Sequence, residues 1–385
     1  MIGAGGVPRL VNLFAAVRAR ARWTHLRWTV FWVTTMVTLN SLVSQTRMSH
    51  ENGIAARGHL RIVDDPKRPS NDFFVPGREY ACRVRFGAAT WKDDAKLVIR
   101  GAAVKFADTR FESPFDLMMN TGRLAIFWNA RTFVGFMKAT IAGRGKAWVP
   151  YLTKNPMAMV GGRNSLKRDP ESVGSLEYNS KTCLGLIDNS TGDYYYVRYR
   201  LHPLSYEPDG DASETDREHP WFQNPLPDEP RNRNYIKDQM CERLDGDTIE
   251  FMLRLQARRK PPGPDPTWVT AEYEWDETET PWCDVAHIVL DEALDYRESQ
   301  LTWFEMSNHP DSLPVPRGCS IDDPHSLNDL RVASIWARRA RLFSYKLRGM
   351  PKAFGDSRRD PDWVGLPPMP DPPRSVTSRQ RARGW

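Results

Sequence analysis

Three stretches early in the chain alternate apolar with polar or small residues. They are His59-Leu60-Arg61-Ile62-Val63, Tyr80-Ala81-Cys82-Arg83-Val84-Arg85-Phe86 and Ala102-Ala103-Val104-Lys105-Phe106. A period of two places one set of side chains on each face of a strand, so residues 58–106 are predicted to be sheet. Residues 182–187 and 194–201 predict a hairpin around the turn-forming Asn189-Ser190-Thr191-Gly192-Asp193. Further strands are predicted at 248–257, 267–275 and 283–291. Strands repeated at hairpin spacing predict a closed or nearly closed antiparallel sheet. The pattern turns helical at 127–142 and again at 326–348, where Gly349 and Pro351 stop it.

Both ends differ from this centre. Residues 1–46 carry Arg9, Arg18, Arg20, Arg22 and Arg27 and no acid. Residues 8–22 read as an amphipathic helix, and a second apolar run, 28–39, is too short to span a bilayer. Basic residues before an apolar run resemble a signal peptide, but no small-residue cleavage site follows. The expectation is a helical arm packed on the core. The alternative is a peripheral membrane contact, with arginines at the headgroups and aromatics at the interface. Residues 352–385, rich in proline and arginine, predict a mobile tail. The expected organisation is an arm at 1–46, a core at 47–351 and a tail at 352–385. Residues 205–234, acidic and proline-rich, read as a surface excursion.

Composition narrows the function. A net charge of +6 over 385 residues is modest, and no basic stripe with interleaved aromatics points to nucleic acid. The five cysteines are scattered and never paired as C-x-x-C. That argues against a disulfide framework and a zinc or iron–sulfur site, and for a reducing, cytoplasmic compartment. Gly143-Arg144-Gly145-Lys146 lacks the phosphate-loop pattern.

The chemistry lies in Arg341-Leu342-Phe343-Ser344-Tyr345. Arginine and tyrosine four apart share one helical face. Tyrosinate on iron is one way to hold a haem. A free phenol titrates near pH 10, and both ferric iron and a guanidinium favour its anion. Three more segments accompany this pair. They are Arg47-Met48-Ser49-His50, then Cys82-Arg83-Val84-Arg85-Phe86 with Arg100-Gly101-Ala102-Ala103-Val104-Lys105-Phe106, and Asp116-Leu117-Met118-Met119-Asn120-Thr121 followed by Phe133. Taken singly, His50 reads as a surface or cap histidine, Tyr345 as a core aromatic and Asn120 as a turn residue.

In this order and spacing the segments resemble the haem catalase superfamily over about residues 46–348. The resemblance implies an α+β fold: a catalase-like antiparallel β-barrel with surrounding helices and a proximal haem-binding helix. It implies haem b with Tyr345 as the proximal iron ligand and Arg341 holding that tyrosine as its anion. It matches His50 and Asn120 to the distal catalytic pair and Phe133 to the wall of the distal pocket. It matches Arg47 and Arg85 to arginines that pair with haem propionates. The physical chemistry agrees. One histidine can move a proton between the two oxygens of a peroxide, an asparagine amide can stabilise the oxygen left behind, and a planar guanidinium suits a carboxylate.

The departures favour one class of substrate over another. Ser49 stands where catalases have valine, and catalase-related allene oxide synthases have a threonine there. Gly87 replaces a serine, Leu97-Val98-Ile99 replaces the stretch carrying the channel aspartate, and the proline-aspartate-threonine continuation after the tyrosine is missing. No counterpart of the C-terminal catalase domain is recognised. A more apolar pocket favours a lipid or other organic hydroperoxide, rearranged or reduced, because alkyl chains gain binding energy there. The alternatives are a small catalase or peroxidase acting on hydrogen peroxide, and a haem-binding protein without turnover.

Overall fold

The computed structural model describes residues 6–89, 93–142, 148–168, 170–206 and 224–351. Ten strands occur among them: β1 (Asn52–Ile62), β2 (Glu79–Ala88), β3 (Val98–Lys105), β4 (Asp116–Thr121), β5 (Leu166–Lys167), β6 (Tyr178–Asn179), β7 (Leu184–Ile187), β8 (Tyr194–Pro203), β9 (Ile249–Arg259) and β10 (Cys283–Ala293). All pairings are antiparallel. The order β1-β2-β3-β4-β6-β8-β9-β10 returns to β1, so eight strands form a closed barrel. β5 pairs with β3, and β7 with β8, beside this ring. Closure leaves the eight strands no free edge in the ring.

The alternation decides what each barrel face carries. Leu60, Val84, Phe86, Val104, Leu117 and Phe251 point inward into one buried cluster. The opposite face of β1–β4 holds three cross-strand rows in register. Gly53, Gly87, Gly101 and Asn120 form one row; Ala55, Arg85, Ala103 and Met118 the next; Arg57, Arg83, Lys105 and Asp116 the third. Small residues leave room on this outer face, and helices cover it. In the third row, Lys105 and Asp116 form a wholly buried pair at 3.0 Å.

The helices are α1 (Gly6–Ser44), α2 (Ala130–Ala142), α3 (Trp148–Lys154), α4 (Pro156–Ser165), α5 (Tyr235–Arg243), α6 (Tyr296–Leu301), α7 (Ser326–Ala333) and α8 (Ile335–Arg348). Four expectations change. The arm is one long helix. Leu26 anchors it in an apolar cluster with Phe133, Leu327 and Leu330. Residues 267–275 are not a strand but begin as a 3-10 turn at Thr267–Val269. Both edges of β9 are already taken by β8 and β10, so no edge remains for them. The last helix is interrupted at Ser334, whose hydroxyl donates to the Arg331 carbonyl at 2.6 Å and competes with the helical ladder. α2 starts at Ala130 because the Asn129 side chain accepts from the Thr132 amide at 2.9 Å.

The β7–β8 hairpin forms where the turn chemistry placed it. Asp188 Oδ1 accepts from the Ser190 and Thr191 amides, and Gly192 adopts φ +73°. The Gly143–Lys146 segment, the acidic residues of 207–218 and the tail at 352–385 lie outside the described residues.

Candidate functional site

His50 and Asn120 meet over the glycine row. His50 precedes β1 in a left-handed conformation, φ +58°, which costs a non-glycine residue about 1–3 kcal/mol and needs support from its surroundings. Two hydrogen bonds supply it. The His50 amide donates to the Ala89 carbonyl at 2.9 Å, and Arg85 Nη1 donates to the His50 carbonyl at 2.7 Å. The ring lies against Gly101, where a β-carbon would come within 2.5 Å of Nε2 and Cδ2 and 2.9 Å of Asn120 Oδ1. Asn120 reaches this place from β4, where it pairs with Gly101 and not from a turn. His50 Nδ1 is 3.0 Å from Ser49 Oγ, while Nε2 is buried with no hydrogen-bond partner. Burial, with Arg85 beside it, pushes the His50 pKa from 6.5 down to about 4, and the Asn120 side chain acts in the opposite direction. The imidazole is therefore neutral near pH 7.

Tyr345 is buried on α8, and Arg341 Nη1 donates to its phenol oxygen at 3.0 Å. Arg341 is held in turn by Gln300. It donates to Oε1 at 3.2 Å and to the backbone carbonyl at 3.0 Å. The phenol donates to the Gln45 carbonyl at 3.1 Å. The Gln45 side chain donates to the Ser344 and Gly349 carbonyls at 3.2 and 2.8 Å, capping the end of α8. Arg348 reaches the Leu42 and Val43 carbonyls. The arm and the tyrosine helix are thus laced together at the site.

Arg47 and Arg85 lie between these two halves. Arg85 spends all three guanidinium nitrogens on the Ser299, His50 and Glu51 carbonyls, at 3.0, 2.7 and 3.1 Å. Arg47 Nη2 donates to the Gln300 and Thr302 carbonyls at 3.0 and 2.9 Å, and its Nε has no partner. Burial lowers both pKa values, Arg85 to about 10. Arg341 lowers them further and Glu51 acts against this. Phe133 sits in the apolar cluster under α1 and α7, edge-on to Phe127 at 5.0 Å.

The residues fit a haem. Neither Arg47, Arg85 nor Arg341 forms an ion pair with a carboxylate among the described residues, and the buried guanidiniums of Arg85 and Arg341 are costly without anions. Two propionates would supply what is missing. A phenol aided by an arginine and an orphaned imidazole nitrogen complete the donor set. Gln45, Glu51, Gln300 and Gly101 escaped the sequence reading as site residues. Of these only Gly101 had a local signal, within the Arg100–Phe106 motif.

Comparison with known proteins bears out the fold. The chain superposes on a bacterial catalase (TM-score 0.62, 14% identity, 86% of this chain and 69% of that one). It also superposes on catalase A of Saccharomyces cerevisiae (TM-score 0.60, 18% identity, 88% and 72%). The barrel is a catalase-like barrel. In sequence the chain is 30% identical over 301 residues to the allene oxide synthase-lipoxygenase protein of Plexaura homomalla, covering 77% of this chain. It is 27% identical over 305 residues, 76% of this chain, to linolenate 9R-lipoxygenase of Nostoc sp.. It spans 28% and 38% of the lengths of these two relatives. No family model matches. Motifs, homology and fold together support the catalase-related superfamily.

Proposed function

We propose that this chain is a haem enzyme that activates an organic hydroperoxide, rearranging or reducing it. The observation that supports this best is the pairing of a half-buried, neutral His50, its Nε2 out of solvent, with Asn120 over Gly101. Arginines link that pair to Arg341 and Tyr345, since the charge of Arg47 reaches both His50 and Tyr345.

Haem b, when bound, supplies the redox chemistry that breaks a peroxide O–O bond. Tyr345 would hold the iron through its phenol oxygen, to which Arg341 donates a hydrogen bond. Arg47 and Arg85 would face the propionates. With Nδ1 donating to Ser49 Oγ, His50 keeps Nε2 free to take a proton from a hydroperoxide and return it. Asn120 would donate its amide to the peroxide oxygen, and Phe133, packed with Leu26, Leu327 and Leu330, would serve as an apolar wall that limits water.

The relative named for allene oxide synthase favours an organic hydroperoxide, and so does the Ser49 contact. Purified protein should carry haem with a high-spin ferric tyrosinate spectrum and consume a fatty-acid hydroperoxide. Absence of haem after reconstitution sinks the reading. Rapid oxygen release from hydrogen peroxide with no lipid turnover would replace it with a small catalase. Bound haem with neither reaction would leave a haem-binding protein.

A further inference from the structure

A surface helix of a globular protein normally carries one apolar stripe, turned to the core. α1 carries two. Leu26, Val30 and Val33 form the inner one, in the cluster with Phe133, Leu327 and Leu330. Trp28, Trp32, Met36, Leu39 and Val43 form the other, recurring at steps of three or four on the opposite side of the helix. Phe31 borders them and meets Trp28 and Trp32 edge-on, at 5.8 and 5.5 Å between ring centres. These six side chains are 54–72% exposed, so packing within the chain does not account for them.

α8 repeats the arrangement. Arg341, Ser344 and Tyr345 are buried on its inner side, while Trp336, Phe343 and Leu347 share the outer side and are exposed. The two helices pack against each other, and Arg348 at the end of α8 reaches the Leu42 and Val43 carbonyls at the end of α1. Each helix meets the core through its inner side, so each turns an apolar stripe outwards. Large exposed apolar surface of this kind marks a site of contact.

Charge selects the partner. Neither helix contains an acidic residue. Arg18, Arg20, Arg22 and Arg27 are exposed on α1, and Arg339 and Lys346 flank the α8 stripe. Arg27 lies over the Trp23 ring and Arg339 over the Trp336 ring, each at 5.3 Å. Asp322, near Arg22 and His25, is already paired with Arg131 at 2.8 Å. An anionic bilayer offers headgroup charge to the arginines and an apolar layer to the tryptophans. A second copy of this chain would bring no acid on the same face to meet those arginines. No described helix is long and apolar enough to cross a membrane, so the contact runs along the lipid surface.

We propose that the outer sides of α1 and α8 together dock on an anionic phospholipid surface, with the arginines at the headgroups and Trp28, Trp32 and Trp336 at the interface. The bilayer would then lie behind the helix that carries Tyr345, on the side away from the phenol. The proposal stands apart from the haem reading, and its test needs no haem. The full chain, as purified, is floated with phosphatidylcholine vesicles made with and without phosphatidylserine. Binding should be at least tenfold stronger with phosphatidylserine and should fall as salt is raised. Arg18→Gln/Arg20→Gln should weaken it about thirtyfold, and Trp336→Ser/Phe343→Ser at least tenfold. All four positions are exposed, and circular dichroism checks that each variant folds. The salt and lipid dependence of the wild type decides the matter even where a variant does not fold. Three results overturn the proposal. The wild type does not float, it binds neutral vesicles equally well, or Trp336→Ser/Phe343→Ser binds as the wild type does. A dimer in sedimentation velocity that this last variant dissociates, with no vesicle binding, would assign the face to a second copy instead.

Discussion

The His50 imidazole rests directly on Gly101, so close that a methyl group at residue 101 would stand 2.5 Å from its Nε2. β3 therefore backs the distal histidine with bare main chain. Its neighbour across the sheet, Asn120, shares the same space.

Gly101→Ala should displace the imidazole. The clash is with a ring packed beside Asn120, so overpacking should cost about 1–3 kcal/mol and misplace Nε2. We expect at least tenfold slower hydroperoxide turnover, a lower melting temperature and unchanged haem stoichiometry. Wild-type turnover in this variant would show that His50 does not act from this position.

Tyr345→Phe should remove the ferric tyrosinate absorption and most of the retained haem. Arg341→Met should weaken haem binding tenfold or more, because it removes the cation beside the phenol and leaves Gln300 without its donor. Haem titration with absorption spectra checks both. A normal spectrum in Tyr345→Phe would exclude tyrosine ligation.

Acid should act through His50. Its folded pKa is lowered from 6.5 to about 4, first by burial and then by Arg85. On acidification the unfolded chain takes up this proton before the folded one does. The associated stability is complete above about pH 6.5 and is lost as pH falls towards 4. Turnover should stay level from pH 7 to about 5 and drop near 4. His50→Gln should cut it by about a hundredfold to ten-thousandfold at all pH values, with haem retained. A pH limb near 6.5 would contradict the neutral imidazole.

Ser49→Val removes the 3.0 Å contact to His50 Nδ1 and frees the ring to tilt. Oxygen release from hydrogen peroxide should rise relative to organic hydroperoxide consumption. An unchanged ratio would dismiss Ser49 as a restraint on the histidine.

α1 exposes Trp28, Phe31, Trp32, Met36 and Leu39 beside exposed Arg18, Arg20, Arg22 and Arg27. No described helix is long and apolar enough to cross a membrane. Basic residues next to exposed tryptophans suit an anionic lipid surface. The full chain should float with phosphatidylserine vesicles, more weakly with neutral ones, and the Trp28→Ala/Trp32→Ala double variant should lose that binding. Equal flotation of wild type and variant would leave the arm as packing alone.

Most of the barrel was legible from alternation, because burying one face forces a period of two whatever the partner strand. The motifs carrying His50, Asn120, Arg341 and Tyr345 were legible for a similar reason, since each is a local run with fixed spacing. Residues 267–275 failed because their composition suits a strand but both edges of the preceding strand, β9, are taken by β8 and β10. Edge availability is a property of the closed ring.

By itself, the sequence determined the alternating strands, the turn at Asn189–Asp193 and the shared face of Arg341 and Tyr345. Each depends on residues a few positions apart. Tertiary structure alone decided that Gly101 lies under His50 and that Gln45 accepts from Tyr345 across 300 positions. These relationships come from strand register and helix docking. Local pattern cannot specify them, because the partners are distant in sequence and meet only when the barrel closes.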